Sequence, residues 1–471
     1  MSEQLTSQKK EKGLKGFFQI ADKYQTNDWL LAFPLLIFSM MPMFMCILSL
    51  NASVPSSRME IGYNTYIVCT ICGVAAILFN ILRFFAYNGS VRQLVSENRS
   101  WLLFMAIVPL MLLSTAVNGI TIPQIWWAFG VYPTEEMLLM YVSFFMIFFA
   151  CASMISSREI KTFVIRLIEA IALTIAILTL FDHFGIPVAS MREFSEDHLE
   201  GVFFQFNHYG YYLTVGLGIG AGMFVWEEDK FWRYFGLFSF MVHCFTLILN
   251  DTFGCILASL LVLVFLPVIY SIVNKRFSFK ALSPLLIYIV MMFIMSFWVS
   301  TVLNNFIVFF GDIHNIAENN ENAGRAGTTR WALWTSSIEY IKERPLLGFG
   351  IEGTSLRLRH DAGSTHPHNE YLQYASYFGV PAALLYIAGI ISVYIRGLKN
   401  RSKLRAPELI AYVTAFGYFV SACFGNPRFY TAPFLFIVFG LAYNTGAAKE
   451  EPQEQNDSLN DNNISQEPSI T

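Results

Sequence analysis

The sequence predicts an all-α, polytopic membrane protein of about twelve transmembrane helices, with one large extracytoplasmic loop before the tenth helix. Three observations predict it. Of 471 residues, 55% are hydrophobic and only 14% charged, and the mean hydropathy is +0.48; soluble domains carry about a quarter charged residues. Apolar runs of about 20 residues, the length needed to cross a hydrocarbon core, recur along the chain. Lys and Arg are distributed unequally between alternate connecting segments.

The runs lie at 29–50, 63–87, 101–117, 137–155, 163–181, 203–225, 231–249, 251–273, 281–303, 369–395, 406–424 and 429–444. They divide the chain into a cytoplasmic amino-terminal segment (1–28), helices one to nine (29–303), the large loop (304–368), helices ten to twelve (369–444) and a disordered cytoplasmic tail (445–471). With the amino terminus inside, the inner segments hold 22 of the 31 basic residues, including the loop "RGLKNRSKLR" from Arg396 to Arg405. Six of the nine outer ones sit in the large loop, and long loops escape the positive-inside bias. Both termini are therefore expected in the cytoplasm. The tail from Lys449, "KEEPQEQNDSLNDNN", is too polar to fold by itself. On this topology all eight histidines (183, 198, 208, 243, 314, 360, 366 and 368) fall outside or in the outer half of a span. The chemistry is biased to the outer face.

Several function classes are excluded early. A net charge of −3 offers nucleic acid no basic surface. All seven cysteines lie in apolar runs, which argues against a disulfide framework and a structural zinc site; Cys69 and Cys72, a C-x-x-C in mid-membrane, read as helix packing. The first 27 residues are polar and Lys-rich, without the short apolar core and small-residue site of a cleaved signal. Gly348, Gly350 and Gly353 match G-x-G-x-x-G, but no βαβ unit surrounds them, so they read as a turn allowing close backbone approach to an anionic head group. His366, His368 and Glu370 straddle Pro367 at no familiar ligand spacing, and no metal is expected there.

The large loop holds the chemistry. Its "AENNENAGRAG" stretch reads as flexible, and "TTRWALWTSSIEYIKERP" as an interfacial helix of about four turns stopped by Pro345, with Trp331, Trp334, Ile338 and Ile341 on one face. Arg357, Arg359, His360, His366 and His368 then crowd into twelve residues. Imidazole accepts a proton near neutral pH and guanidinium grips phosphate bidentately, so the pattern supplies a base and an anion clamp. Asn207 and His208, early in the sixth span, are polar groups in an expensive place and join the candidates.

At these residues the chain resembles the O-antigen ligase and polysaccharide polymerase family of bacterial membrane proteins. The resemblance rests on Arg330-Trp331-Ala332-Leu333-Trp334 with Pro345-Leu346-Leu347-Gly348-Phe349-Gly350, on His368-Asn369-Glu370-Tyr371-Leu372-Gln373 followed by Phe378-Gly379-Val380, and more weakly on Gly201-Val202-Phe203 through Asn207 and Gly210. It implies a metal-independent glycosyltransferase without cofactor in the bacterial plasma membrane. The enzyme takes a glycan from a polyprenyl-diphosphate carrier to a sugar hydroxyl at the outer face, as a repeat-unit polymerase or, with the same donor, an O-antigen-type ligase. Implied partners are the lipid-linked oligosaccharide, the glycan acceptor, the membrane and other polysaccharide-assembly proteins. His368 matches the family histidine that acts as base or positions the acceptor, and Arg330 the loop arginine that holds diphosphate. Arg325, Arg357, Arg359, His366, Asn369, Glu370, Asn207, His208 and Arg428 complete the expected substrate-binding set.

One departure stands out. Where many members have Ser-Arg-Gly, this chain has Thr252-Phe253-Gly254, so a second cation must come from Arg325, Arg428 or Arg192, with Asp251 placed to contact one of them. Structural readings stand beside the chemical ones. His368 or Asn369 could cap the tenth helix, Arg330 could snorkel to lipid phosphates, and His243 could be a hydrogen-bonded core histidine. Arg166 and Glu169, one turn apart, read as a salt-bridged pair near the cytoplasmic side. A lipid-linked glycan transporter is the rival class; it calls for internal repeats and mid-membrane charge, and the sequence suggests neither.

Overall fold

The computed structural model describes residues 13–49, 55–87, 99–118, 138–153, 155–186, 198–203, 205–299, 301–320, 323–426 and 431–444. Arg192, Arg428 and the tail from 445 lie outside the described residues. Every regular element among the described residues is helical. In chain order these are α1 (Leu14–Lys23), α2 (Thr26–Ser39), α3 (Met41–Ser49), α4 (Pro55–Ala86), α5 (Arg99–Met105), α6 (Ile107–Val117), α7 (Leu138–Ser153), α8 (Arg158–His183), α9 (Phe206–Trp226) and α10 (Lys230–Asn250). They continue as α11 (Phe253–Asn274), α12 (Phe279–Met295), α13 (Thr301–Ala317), α14 (Arg330–Glu343), α15 (Gly350–Ala362), α16 (Glu370–Phe378), α17 (Val380–Lys399), α18 (Ala406–Ser421) and α19 (Ala432–Tyr443).

Eight helical segments are long and apolar enough to cross a membrane, against twelve expected; α7, α12 and α19 are apolar but shorter. Large apolar side chains such as Phe85, Phe293, Phe297 and Leu384 point outward, as a lipid solvent allows. At the centre runs α9, buried at every position from His208 to Met223. Its glycines let neighbours approach closely, the small-residue packing typical of membrane helices. A Cβ on Gly218 would meet the Thr414 backbone of α18 at 3.0 Å, and one on Gly220 would meet the Gly236 carbonyl of α10 at 2.9 Å.

Polar contacts sort the helix ends into two groups. At one end, buried Lys161 near the start of α8 pairs with Glu408 at the start of α18 (2.7 Å) and donates to the Asn444 carbonyl beyond α19 (2.8 Å). Arg166 grips Glu227 with two bonds (2.8 and 3.0 Å) and lies over Trp232. Lys280 donates to the Val225 carbonyl, and Arg396 to the Tyr443 hydroxyl. Asp28 accepts from the Ser156 and Ser157 amides, and Ser157 in turn caps α8. This is the basic end. The loop helices α14 and α15 pack at the other, against Asn118 after α6 and the start of α17.

Two predicted elements differ in ways that build the site. The ninth run stops at Met295, and α13 begins at Thr301, so the large loop opens on a helix rather than a polar coil. The tenth run is not one helix. It breaks at Gly379 (φ 92°), which is packed so tightly on the Leu346 carbonyl that a Cβ would sit 2.1 Å from its oxygen. Pro381 then starts α17, where its fixed φ suits a first turn.

Candidate functional site

The loop helices form a small module of their own. Leu333, Tyr340, Phe349 and Leu358 bury together, joining α14 to α15. Arg344 and Arg357 both lie over the Phe349 ring, at 4.5 and 3.9 Å from its centroid, and Arg357 also pairs with Glu343 (2.8 Å). The Tyr340 hydroxyl and His360 Nδ1 both engage the Asp361 carboxylate. Those bonds, His360's first, hold the Asp361 carboxyl below the usual carboxylate range, while desolvation pushes the Tyr340 hydroxyl up.

The module is fastened to the end of α16. The Phe349 amide donates to the Ser376 carbonyl (2.9 Å), Thr354 Oγ1 donates to the same oxygen (3.1 Å), and the Val380 amide donates to the Pro345 carbonyl (2.8 Å). Gly348 (φ 60°) approaches the backbone of Ser376 and Tyr377 where no side chain would fit. The close approach at Gly348 is thus to the chain's own backbone and not, as the glycine pattern suggested, to an anionic head group. From the other side, Ser114 donates to the Tyr377 carbonyl, and Asn118 accepts from Arg344.

At the opposite end of α16 sits the histidine pair. His366 Nδ1 lies 3.3 Å from the Tyr377 hydroxyl. His368, half-buried, holds a left-handed backbone (φ 50°). Asn369 is the cap, accepting from the Leu372 amide (3.1 Å), so the capping reading belongs to Asn369 and not to the His368 side chain. Glu370 is buried, and its oxygens accept from Tyr386 (2.5 Å) and Tyr418 (3.1 Å). Through Tyr418 and Tyr211, whose rings are neighbours, this carboxylate connects to His208 on α9.

Arg330, half-buried, opens α14 after three successive left-handed residues, Gly327, Thr328 and Thr329. Such backbone costs about 1–3 kcal/mol at each non-glycine residue and persists where surrounding structure enforces it. Here the Gly327 amide is tied to Asp312 of α13 (2.8 Å), and Trp334 packs on Phe424. Arg330 lies within electrostatic reach of Cys255, one residue past Gly254 in the first turn of α11. The start of α11 is joined to that of α9, since Asn250 and Thr252 both donate to the Phe206 carbonyl. None of α9, α11 or α14 has a side-chain cap; in α14 the Arg330 and Trp331 amides donate to the Gly327 and Ala326 carbonyls, so the uncapped first turns at this end of the bundle are those of α9 and α11.

The other candidates are scattered. The Phe253 ring packs on Phe306 and Phe309 of α13 (5.1 and 5.3 Å). Asp251 accepts from Asn305 (2.8 Å). Arg325 is exposed on a single 3-10 turn, Arg359 is exposed on α15, and Asn207 is half-buried beside His208. Arg428 and Arg192 fall outside the described residues. Sequence reading missed the tyrosines around Glu370, because nothing local relates Tyr386 and Tyr418 to a carboxylate 16 and 48 residues away. It also misassigned Glu169. Arg166 pairs with Glu227, while Glu169 is fully buried, accepts from Ser239 (2.5 Å) and faces His243 Nε2 at 3.5 Å. Ionisable groups therefore also occur deep in the bundle, where His243 has a carboxylate neighbour.

The fold and this end of the bundle define an integral membrane protein whose His- and Arg-bearing loop module is clamped onto a broken helix. Residues 236–387 match the family model described as O-antigen ligase, a stretch running from α10 into α17 that includes Arg330 and His368. Over those residues the chain is similar to the O-antigen ligase family, which together with the apolar helices fits a bacterial inner membrane protein of the ligase or polymerase type. No curated protein matches the chain.

Proposed function

We propose that this protein is a glycosyltransferase of surface-polysaccharide assembly, moving a glycan from a polyprenyl-diphosphate carrier to a sugar hydroxyl at the outer face, as a repeat-unit polymerase. His368 accepts the proton of the attacking hydroxyl. That oxygen bonds to the anomeric carbon as the carbon–oxygen bond to the diphosphate breaks, and polyprenyl diphosphate leaves. Arg330 and the uncapped amides of α9 and α11 offset the charge of the leaving group. His366 contributes a further proton-bearing group and the exposed Arg325 and Arg359 further positive charge toward the sugars, while Arg357, held by Glu343 and Phe349, stiffens the module.

The reading is supported most by one observation: the matched family segment carries left-handed backbone at His368 and directly before Arg330. A positioned base contributes about 10²–10⁴-fold. His368→Ala should therefore leave the protein inserted and folded but stop chain lengthening in cells; wild-type polymer lengths in that variant overturn the assignment. The ligase reading is favoured by the family description and differs only in acceptor. Deleting the gene separates the two: long lipid-linked glycan accumulates if the protein ligates, single repeat units if it polymerises.

A further inference from the structure

A groove of about 1180 Å³ opens along the bundle between α8, α10 and α12. It exceeds the 300–1,000 Å³ typical of small-molecule pockets. One wall is a ridge of residues four apart, Leu286, Val290, Ile294 and Trp298; the other is Phe245 and Leu249, again four apart, on α10. Met291 and Met295 line it between them, flexible side chains that adapt to an irregular occupant. From Leu286 to Met295 the groove follows α12 for nine residues, about 14 Å at 1.5 Å per residue. That is about half of a 30 Å hydrocarbon core, the depth of one leaflet.

Its polar groups are gathered at one place. His183, His198 and Asp251 line the groove at the ends of α8 and α10 that lie away from the basic end. Asp251 ends α10 in the turn just before α11, four residues ahead of Cys255, which feels the Arg330 charge. Asn305 donates to Asp251, whose carboxyl pKa burial raises. An apolar trough one leaflet deep, with imidazoles at its mouth beside the candidate site, matches a hydrocarbon chain with an anionic head.

We infer that the groove seats the isoprenoid chain of the diphosphate-linked donor, with the diphosphate at the His183–His198 rim facing the start of α11. This rests on the transferase reading above. The test uses the full-length protein in vesicles of phosphatidylethanolamine and phosphatidylglycerol, with a polyprenyl diphosphate carrying a diazirine in its isoprenoid chain. After illumination, labelled peptides should contain residues 286–298 and 245–249, and unlabelled polyprenyl diphosphate, but not added phosphatidylglycerol, should compete. Val290→Trp, on a membrane-facing wall, should weaken binding of the long-chain probe about tenfold, the equivalent of two lost methylenes, and leave a short-chain diphosphate unaffected.

Competed label elsewhere on the chain overturns the groove assignment and leaves the transferase reading intact. Groove label competed only by phosphatidylglycerol makes the groove an ordinary lipid site. Disulfide cross-linking between copies carrying Ile294→Cys, unaffected by the probe, makes it a subunit interface and overturns the inference. Absence of any competed label removes the donor reading and this inference together.

Discussion

Replacing Gly379 with alanine tests whether the break between α16 and α17 sets the geometry of the site. At φ 92° and ψ 163° the residue occupies backbone space essentially reserved for glycine, so alanine there costs about 1–3 kcal/mol before any contact is counted. The new Cβ would lie 2.1 Å from the Leu346 carbonyl oxygen, where 3.0 Å is the closest approach real Cβ atoms show. The turn from Pro345 to Gly348 must therefore retreat by about 0.9 Å, the difference of those distances. That turn joins the helix carrying Arg330 to the segment behind His368, and a 1 Å misplacement of reacting groups costs about 10²-fold in rate. Glycan transfer in membranes from cells expressing Gly379→Ala should fall about a hundredfold, with correct insertion and a lower melting midpoint in detergent. Gly363→Ala is the control for backbone strain alone: its φ of 72° also disfavours alanine, but a Cβ there meets nothing within 4 Å, so transfer should persist. Wild-type turnover and stability in Gly379→Ala would refute the clamp.

Other perturbations have equally definite outcomes. Lys161→Ala strands the buried Glu408 carboxylate and should cost about 3–5 kcal/mol, read as a lost folded fraction after detergent extraction, whereas a paired Lys161→Met/Glu408→Leu variant should recover most of it. Glu370→Leu leaves the hydroxyls of Tyr386 and Tyr418 without their acceptor, at about 1–3 kcal/mol each; the midpoint should drop even though no exposed surface changes. For Asp361 the folded pKa lies below the ordinary 3.8, so its carboxylate stabilises the module above that value and the contribution is lost as pH falls through the lower folded value. Protease resistance of the α14–α15 region should show a step below pH 3.8 that Asp361→Asn lacks.

Much of this was legible in the chain, for physical reasons that also mark where reading stopped. Apolar runs report burial in lipid whatever the tertiary structure, so an all-helical membrane bundle was readable, although eight segments and not twelve are long and apolar enough to span. The loop helix from Arg330 to Glu343 was readable from its tryptophan spacing and Pro345. The helix from Gly350 to Ala362 was not, because two glycines and four charged side chains hide the apolar face of Leu358. The break at Gly379 was invisible inside a continuous greasy run, since the reason for it, the Leu346 carbonyl, lies 33 residues earlier. Arg166 and Glu169 show the same limit. Spacing of one turn invited a local pair, but Glu227, 61 residues away, offers the guanidinium two oxygens, leaving Glu169 to the interior. Local rules rank local partners only.

The junction of Lys161, Glu408 and the Asn444 carbonyl carries a consequence for biogenesis. Lys161 leaves the ribosome 247 residues ahead of its carboxylate. At 5–20 residues per second that is a wait of about 12–50 s. Through that interval the ammonium must remain hydrated at the membrane surface, which its place in the first turn of α8 permits by reaching outward. The buried ion pair thus forms only after α18 has been made, and until then the amino-terminal helices carry a hydrated ammonium at the membrane surface.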